Sequence, residues 1–323
     1  MELMKSLEYF LRDKHALNTA QSTLATYRNH CIGYISFCEE RGYSDVESGC
    51  SEARYYDYIR YLIDDRKIKD ITVASYMRSV KTWFNWMMEK GWIEKYHMPI
   101  PKYQETLRET YSDEELSLLL AMPQSGCTEV EYITWVMINI LIATGMRLGS
   151  LKSLRVRDFS YNELQLRVNT TKNNLPIPLP INSELGSILI DYIARLHLKP
   201  DDYMFSSGTG SKYASRTIQD YIEQYLGRKR IIKARKVHAF RHTFAKNYYL
   251  ETHDVYKLKE ILGHRDLSMT EHYIRTLGCA LTETIEYNPQ KKHVLDMPME
   301  HHAKRRRSID FDDLDLNSTA DTF

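Results

Sequence analysis

Apolar and aromatic residues between positions 1 and 100 recur every three or four positions, which is the period of an amphipathic helix. Short connections separate the periodic stretches, so we predict a bundle of four helices over residues 1–97. Asn18 or Ser22 is the expected N-cap of the second helix. The clearest series are Leu24, Tyr27, Cys31, Tyr34, Ile35 and Cys38, then Tyr56, Tyr58, Ile59, Tyr61 and Leu62, then Tyr76, Val80, Trp83, Phe84, Trp86 and Met87.

A stretch without helical period follows this bundle. Residues 98–111 contain Pro99 and Pro101, and proline disfavours a helix both at its own position and at the residue before it. We therefore predict a linker over residues 98–111. The sequence Ser-Asp-Glu-Glu that follows at 112–115 is typical of a helix start, and we expect it to open a second domain over residues 112–287.

Two short alternating stretches, residues 163–168 and 175–179, interrupt the helical pattern of the second domain. An Asn-Asn pair between them favours a turn, so they predict an antiparallel β-hairpin. Because Pro176 and Pro178 have no backbone N–H, their strand must lie at a sheet edge. The predicted fold class is mainly α with a small antiparallel β-hairpin or sheet, and we expect residues 288–323 to form a mobile C-terminal tail.

Composition excludes several classes of protein. The 323 residues are 43% hydrophobic and 27% charged, which is typical of globular domains rather than of collagen-like or disordered chains. The five cysteines include no Cys-x-x-Cys pair, which disfavours a disulfide scaffold or a zinc ribbon. The apolar stretch 132–146 is shorter than the roughly 20 residues that span a membrane, and the N-terminus does not resemble a signal peptide. We expect a cytoplasmic protein without a membrane partner.

Charge is unevenly distributed although the formal net charge is only +1. Residues 309–323 carry five aspartates and neither lysine nor arginine. Cations are crowded instead into residues 228–236, a run that indicates either a solvated helix end or a strip that contacts phosphates. The run directly precedes His238, whose segment also suits phosphate chemistry, so we favour the phosphate contact. Its members are Arg228, Lys229, Arg230, Lys233, Arg235 and Lys236.

Four short segments carry side chains that suit phosphate chemistry. Arg147 follows a Thr-Gly turn at a junction between helices, where a guanidinium can clamp a phosphate. His238, Arg241 and His242 share one face of a helix and, beside the cations at 228–236, form a candidate anion site. His264 follows a Leu-Gly pair at a helix end, and Tyr273 comes nine residues later. The fourth segment is the predicted hairpin, with Lys172 near its tip.

The spacing of His238 and His242 also matches helical zinc ligands. A metalloprotease needs Glu directly after the first His, however, and Ala239 occupies that position. Arg241 between the two histidines would repel a cation. We therefore expect neither a metal ion nor another cofactor.

In this order and spacing, the segments resemble the signature of the tyrosine recombinase (phage integrase) family, in its two-domain form typical of Xer-like and mobile-element integrases. The resemblance covers residues from about 110 to 285 directly, whereas residues 1–97 resemble the family's core-site DNA-binding domain by helical pattern only. It implies that residues 112–287 form the catalytic domain and that the catalytic residues are Arg147, Lys172, His238, Arg241, His264 and the nucleophile Tyr273.

The resemblance implies a site-specific DNA recombinase that cuts and rejoins duplex DNA through a 3′-phosphotyrosyl intermediate, without metal or ATP. Arg147 and Arg241 would neutralise the phosphate, and His264 would hydrogen-bond it. His238 would be the general base or its positioner, and Lys172 would protonate the departing 5′ oxygen. Such an enzyme integrates, excises or resolves a DNA element.

Two positions depart from the family pattern or leave it open. Ser150 stands where many relatives carry a Glu that orients the first arginine. The hairpin loop varies among relatives, so Lys152 is the alternative to Lys172.

The partners that the resemblance implies are double-stranded DNA with inverted-repeat core sites and three further copies in a homotetramer, linked through C-terminal segments; accessory proteins are not identified by the sequence. Arg78 and Lys81, on a helix within residues 69–90, are expected to contact the DNA as well. A type IB topoisomerase and an inactive DNA-binding regulator remain alternatives. The Leu-Gly-His element with Tyr273 nine residues later favours a recombinase, and the filled catalytic positions argue against a regulator.

Overall fold

The computed structural model describes residues 1–124, 126–169, 176–233 and 236–279. The chain divides into two compact units, Met1–Thr106 and Leu107–Phe323, and the division falls within the stretch predicted as a linker. None of the helices in these described ranges is long and apolar enough to cross a membrane.

The first unit is a helical bundle around an aromatic core. Tyr34, Trp83 and Phe84 are completely buried, and the Tyr34 hydroxyl donates to the carbonyl of Gly49 at 2.7 Å. A short helix that the sequence pattern did not predict lies between the second and third long helices. The elements are α1 (Leu3–Ala16), α2 (Gln21–Glu39), α3 (Val46–Gly49), α4 (Glu52–Arg60), which continues as a π-helical turn (Tyr61–Asp65), and α5 (Asp70–Glu89).

The predicted N-cap of α2 was wrong. The helix begins after Ala20, and neither Asn18 nor Ser22 caps it. Asn18 instead has a positive φ of 56° and its N–H donates to the carbonyl of His15, so it terminates α1. Asparagine tolerates this left-handed conformation better than most residues, which explains its place at a helix end.

The second unit is built around α7, whose flanks are enclosed by other helices. Val136, Met137 and Ile140 of α7 have no exposed surface. Helices α9, α10 and α11 pack against α7. The helices of this unit are α6 (Asp113–Leu120), α7 (Glu129–Thr144), α8 (Leu148–Leu151), α9 (Ser183–Arg195), α10 (Ser215–Arg228), α11 (Lys236–Thr252), α12 (Val255–Leu262) and α13 (Leu267–Thr276), with a 3-10 turn at Val156–Asp158.

A three-stranded antiparallel sheet of order β1-β2-β3 accompanies these helices. Its strands are β1 (Phe159–Ser160), β2 (Gln165–Asn169) and β3 (Pro176–Pro180). The predicted hairpin corresponds to β2 and β3, which pair from Gln165 with Pro180 to Asn169 with Pro176. The proline-containing strand lies at the edge, as its missing N–H groups require. The two-residue strand β1 is too short for a period to predict.

Three helix ends of the second unit have distinct caps, and two of them are followed by predicted catalytic residues. At the start of α6, Ser112 and Glu115 form the expected capping box. α7 ends at Gly145, whose φ is 59°, and a Cβ there would lie 2.3 Å from the Phe244 ring, so only glycine fits. α12 ends in the same way at Gly263, with φ of 59°. Arg147 and His264 each follow one of these turns.

Candidate active site

Arg241 is a buried cation on α11, with 7% of its surface exposed. Its Nη1 donates to the carbonyl of Gly145 at 2.9 Å and its Nη2 to the carbonyl of Leu262 at 2.7 Å. Both carbonyls lie at helix C-terminal ends, where the partial negative charge favours a cation. Burial, and secondarily the charge of Arg147, lowers the pKa of Arg241 to about 10, so it remains charged at neutral pH.

Arg147, in the turn after α7, also donates to the carbonyl of Leu262. It is the N-cap residue of α8, and its Nη1 donates to the carbonyl of Leu262 at 3.0 Å. Desolvation lowers the pKa of Arg147 from its usual value. Ser150, the departure from the family pattern, lines the same cleft as the two arginines. The main-chain oxygen of Leu262 thus holds the Arg147 guanidinium without a carboxylate at position 150.

His264 lies between the arginines and the next helix. Its Nε2 is 3.3 Å from Nη2 of Arg241, and its Nδ1 is 2.9 Å from the Thr270 hydroxyl. A guanidinium only donates, so Nε2 accepts and the proton resides on Nδ1. Burial, followed by the charges of Arg241, Arg147 and Arg108, lowers the pKa of His264 to about 4. His264 is therefore neutral at physiological pH.

Tyr273 on α13 completes the cluster and is 7% exposed. Its ring centroid lies 5.5 Å from that of His264, in an edge-to-face arrangement. Burial raises the pKa of Tyr273, and the charges of Arg241, Arg108 and Arg147 offset part of that rise. The phenol is therefore protonated at neutral pH and needs a proton acceptor before it can attack a phosphate.

Sequence reasoning missed Arg108, which covers the Tyr273 ring. The guanidinium carbon lies 4.7 Å from the ring centroid, a cation–π contact. Its position is fixed by Thr276, whose carbonyl accepts from the Arg108 N–H and whose hydroxyl accepts from its Nε, both at 2.8 Å. No motif surrounds Arg108 in the sequence, so only the fold reveals this third cation near the phenol.

His242, which the sequence placed in a candidate anion site and which was also weighed as a zinc ligand, contacts the predicted nucleophile. Its Nδ1 lies 2.5 Å from the Tyr273 hydroxyl, and its side chain is 5% exposed. His238 lies one helical turn earlier on an exposed part of α11, and its ring centroid is 6.5 Å from that of His242. Of the three residues expected to share one face of this helix, Arg241 and His242 are buried within the site, whereas His238 is exposed.

Two predicted residues, Lys172 and Arg235, lie outside the described residues, as does the tail 288–323. Lys152, the alternative to Lys172, donates to the hydroxyl of Ser215 at 3.3 Å.

The cations before His238 are largely paired with carboxylates of the same unit. Lys233 lies 2.9 Å from Glu115, and Arg228 lies 2.8 Å from Glu131. Lys236 forms an ion pair with Glu223. Lys229 lies over the ring of Tyr225, 5.7 Å from its centroid. Arg230 terminates α10 with a positive φ of 56°. Three of the five described cations of the run are therefore paired with carboxylates, which the sequence did not reveal.

In the first unit, the two cations predicted to contact DNA interact with the chain that follows α5. Arg78 donates to the Tyr103 hydroxyl at 3.2 Å. Lys81 donates to the carbonyl of Met98 at 2.7 Å. These bonds fix the start of the segment predicted as a linker against α5.

Within the described ranges, no group of three or more His, Cys, Asp or Glu side chains is arranged to hold a metal ion.

A family model described as the phage integrase family matches residues 109–277, which include every described member of the cluster except Arg108. The chain belongs to the phage integrase family. Tyrosine recombinase XerC of Roseiflexus sp. strain RS-1 is 25% identical over 304 residues, which cover 89% of this chain and 94% of the relative.

Solved structures of a site-specific recombinase and of a transposon integrase share the fold. XerH site-specific recombinase bound to a palindromic difH substrate, in a post-cleavage complex, matches with a TM-score of 0.67 and 19% identity, over 83% of this chain and 79% of that one. The integrase of the Tn1549 transposon in complex with circular intermediate DNA matches with a TM-score of 0.67 and 17% identity, over 84% of this chain and 95% of that one.

Family membership confirms three of the predictions made from the sequence. The chain is an integrase-family enzyme, its function is site-specific DNA recombination, and its fold is mainly helical with a small antiparallel sheet.

Proposed function

We propose that Tyr273 attacks a DNA phosphodiester and that Arg147 and Arg241 neutralise the charge that builds on its non-bridging oxygens. The observation that carries this proposal is the convergence of Arg147 and Arg241 on the carbonyl of Leu262, with Tyr273 and His264 beside them. A bound phosphate would replace this carbonyl as the acceptor for both guanidiniums. Preorganised cations of this kind stabilise a developing oxyanion without reorganisation.

His264 is proposed to bind the phosphate as a hydrogen-bond donor. In the free protein its Nε2 accepts from Arg241, an arrangement that leaves no proton on this nitrogen for a phosphate oxygen. The negative charge of a bound phosphate would favour the protonated imidazole, which carries a proton on Nε2. Lys172 is proposed to protonate the departing 5′ oxygen. His238 lies on the exposed part of α11. It is proposed to be the general base or the residue that positions the base.

The substrate is proposed to be double-stranded DNA with inverted-repeat core sites, bound by four copies of the chain that exchange C-terminal segments. The XerH and Tn1549 integrase structures, both in complex with DNA, support a DNA partner. Residues 1–97 are proposed to bind the core site, and residues 112–287 to perform catalysis. Such an enzyme works in the cytoplasm, where it integrates, excises or resolves a DNA element.

The proposed DNA contacts are phosphate contacts, which give affinity without reading the sequence. Within the run 228–236, Lys229 and Arg230 form no ion pair in the described part of the chain, and they are the strongest members of the proposed set. Arg228, Lys233 and Lys236 would first have to exchange their carboxylates for phosphates. Arg78, Lys81 and Arg235 complete the set.

A strand-exchange assay tests the proposal. Two nicked duplexes of different length, taken from DNA that flanks the gene, are incubated in EDTA with wild type and with Tyr273→Phe. We expect a covalent protein–DNA species and recombinant duplexes with wild type only.

The alternatives give different products in the same assay. Relaxation of supercoiled DNA without recombinant duplexes would identify a topoisomerase of type IB. Binding without a covalent species would identify a regulator. A covalent species that persists in Tyr273→Phe would assign the nucleophile to another residue.

A further inference from the structure

We infer, on the basis of the proposed function, that His242 is the catalytic proton acceptor for Tyr273. The family resemblance implies that His238 is the general base or its positioner, but the imidazole that lies 2.5 Å from the Tyr273 hydroxyl is that of His242. A candidate general base must lie within hydrogen-bond reach of the oxygen whose proton it takes, about 3.2 Å or less between heavy atoms or through one water.

The enclosure of this pair suits proton transfer. His242 is 5% and Tyr273 is 7% exposed, so bulk water has little access to the proton. The rings lie 5.4 Å apart between centroids and come from α11 and α13, which pack together. A neutral imidazole with its proton on Nε2 accepts from the phenol at Nδ1. His242 and Arg241 are adjacent in α11, so the helix that holds the phosphate clamp also holds the base.

Cleavage involves two proton transfers, one from Tyr273 and one to the leaving 5′ oxygen. The O–H bond of Tyr273 breaks as its oxygen bonds to phosphorus, and the proton passes to Nδ1 of His242. The bond from phosphorus to the 5′ oxygen breaks, and this oxygen takes a proton from the general acid, proposed to be Lys172. In the religation step, a 5′-hydroxyl gives its proton to the deprotonated general acid as its oxygen bonds to phosphorus. The bond from phosphorus to the Tyr273 oxygen breaks, and this oxygen takes back the proton from Nδ1 of His242.

The cations around the pair determine when the transfer occurs. Arg108, Arg147 and Arg241 already lie near Tyr273, so a protonated His242 adds a further positive charge to the site. A phosphodiester in the clamp supplies the compensating negative charge. The transfer is therefore favoured only when DNA is bound, which keeps the phenol protonated in the free enzyme.

The test replaces His242 with asparagine in the full-length protein. In His242→Asn, the amide oxygen of the new side chain can accept the bond from the phenol near the position of Nδ1 but cannot take its proton. With a nicked duplex, we expect DNA binding and the folded state to be preserved while covalent-complex formation slows about 10²–10⁴-fold. The same substitution at His197, in the exposed turn after α9, is the matched control and should leave the rate unchanged.

A second measurement separates proton transfer from positioning. A fluorinated tyrosine at position 273 lowers the pKa of the phenol and should restore much of the rate in His242→Asn. A 5′-phosphorothiolate substrate, whose leaving group needs no proton, should not restore it. A rate for His242→Asn within threefold of wild type or above it, or a slow rate without rescue by fluorotyrosine, would overturn the inference. A covalent species in Tyr273→Phe would instead overturn the proposed function.

Discussion

Each cation of the site is held by the protein itself before any substrate binds. Arg241 donates to two carbonyl oxygens at helix ends, and Arg147 shares one of them. A buried charge without such partners would cost several kcal/mol, roughly the Born penalty after relaxation. These hydrogen bonds therefore stabilise two neighbouring guanidiniums, both of which donate to the carbonyl of Leu262. A phosphate that replaces the shared carbonyl finds both donors already in position.

Arg241→Lys tests the geometry of this clamp. Lysine keeps the charge but cannot donate to Gly145, Leu262 and His264 at the same time. We expect covalent-complex formation to slow about 10²–10³-fold, the usual effect of losing one oxyanion donor. DNA affinity should change little. Arg195→Lys, on the exposed surface of α9, is the matched control, and an equal loss of rate in both variants would contradict this role.

His264 makes stability depend on pH in a direction that can be measured. Its pKa is lowered to about 4 in the folded chain, mainly by burial, whereas an unfolded histidine titrates near 6.5. Between these values the unfolded chain binds a proton that the folded chain does not. This contribution to stability is therefore present above about pH 6.5 and is lost as the pH falls toward 4.

The measurement is the melting temperature of wild type and of His264→Asn between pH 7 and pH 4.5. We expect the melting temperature of wild type to fall more steeply than that of the variant. Parallel curves would show that His264 titrates normally in the folded protein.

The sequence predicted the residues of this site that occur in motifs, but not those that reach it from elsewhere. Arg147, Arg241, His264 and Tyr273 stand at fixed positions relative to glycine turns and to each other. Arg108 reaches the site because its main chain bonds to Thr276, and no periodicity relates two positions so far apart. Likewise, the partner of His242 depends on how α11 packs against α13.

At the scale of single elements, the turns that end α7 and α12 determine where the catalytic side chains lie. Gly145 and Gly263 both have a φ of 59° and reverse the chain into Arg147 and His264. Glycine adopts this conformation without strain, whereas other residues incur about 1–2 kcal/mol. Both glycines are recognisable in the sequence, so the ends of α7 and α12 could be predicted from it. The start of α2 carries no such residue, and its predicted N-cap was wrong.

Gly145→Ala should be strongly destabilising. A Cβ would lie 2.3 Å from the Phe244 ring in addition to the positive φ, and overpacking of a core typically costs about 1–3 kcal/mol. Gly42→Ala is the matched control, since its φ is 80° but nothing lies within 4 Å of its Cβ. We expect the free energy of unfolding to fall by more than about 2 kcal/mol for Gly145→Ala and by less for Gly42→Ala. Equal losses would contradict the proposed role of Phe244.

At the scale of the whole chain, the period of apolar residues predicted the helical bundle, the hairpin and the proline-marked edge strand. These features depend on local burial patterns, which a sequence displays directly. Composition also indicated a basic strip at 228–236, but ion pairs with Glu115, Glu131 and Glu223 neutralise much of it. A count of charges does not reveal which carboxylates the fold brings close.

The salt dependence of DNA binding tests which of these cations contact phosphates. Each phosphate contact contributes about 0.9 to the slope of log affinity against log salt. We expect Lys229→Gln with Arg230→Gln to reduce the slope by about two, roughly one per cation removed. Replacing Arg195 and Lys199 with glutamine removes the same charge from another surface and should leave the slope unchanged. If the two double variants have the same salt slope, Lys229 and Arg230 do not contact DNA phosphates.

The central claim is that Tyr273 forms the covalent bond to DNA, and mass spectrometry of the trapped complex tests it most directly. Wild type is incubated with a nicked duplex in EDTA, and the covalent species is digested with nuclease and trypsin. Residues 266–275 form a tryptic peptide in which Tyr273 is the sole tyrosine. We expect this peptide to carry the phosphonucleotide. An adduct on any other peptide, or a trapped complex that forms equally in Tyr273→Phe, would contradict the account.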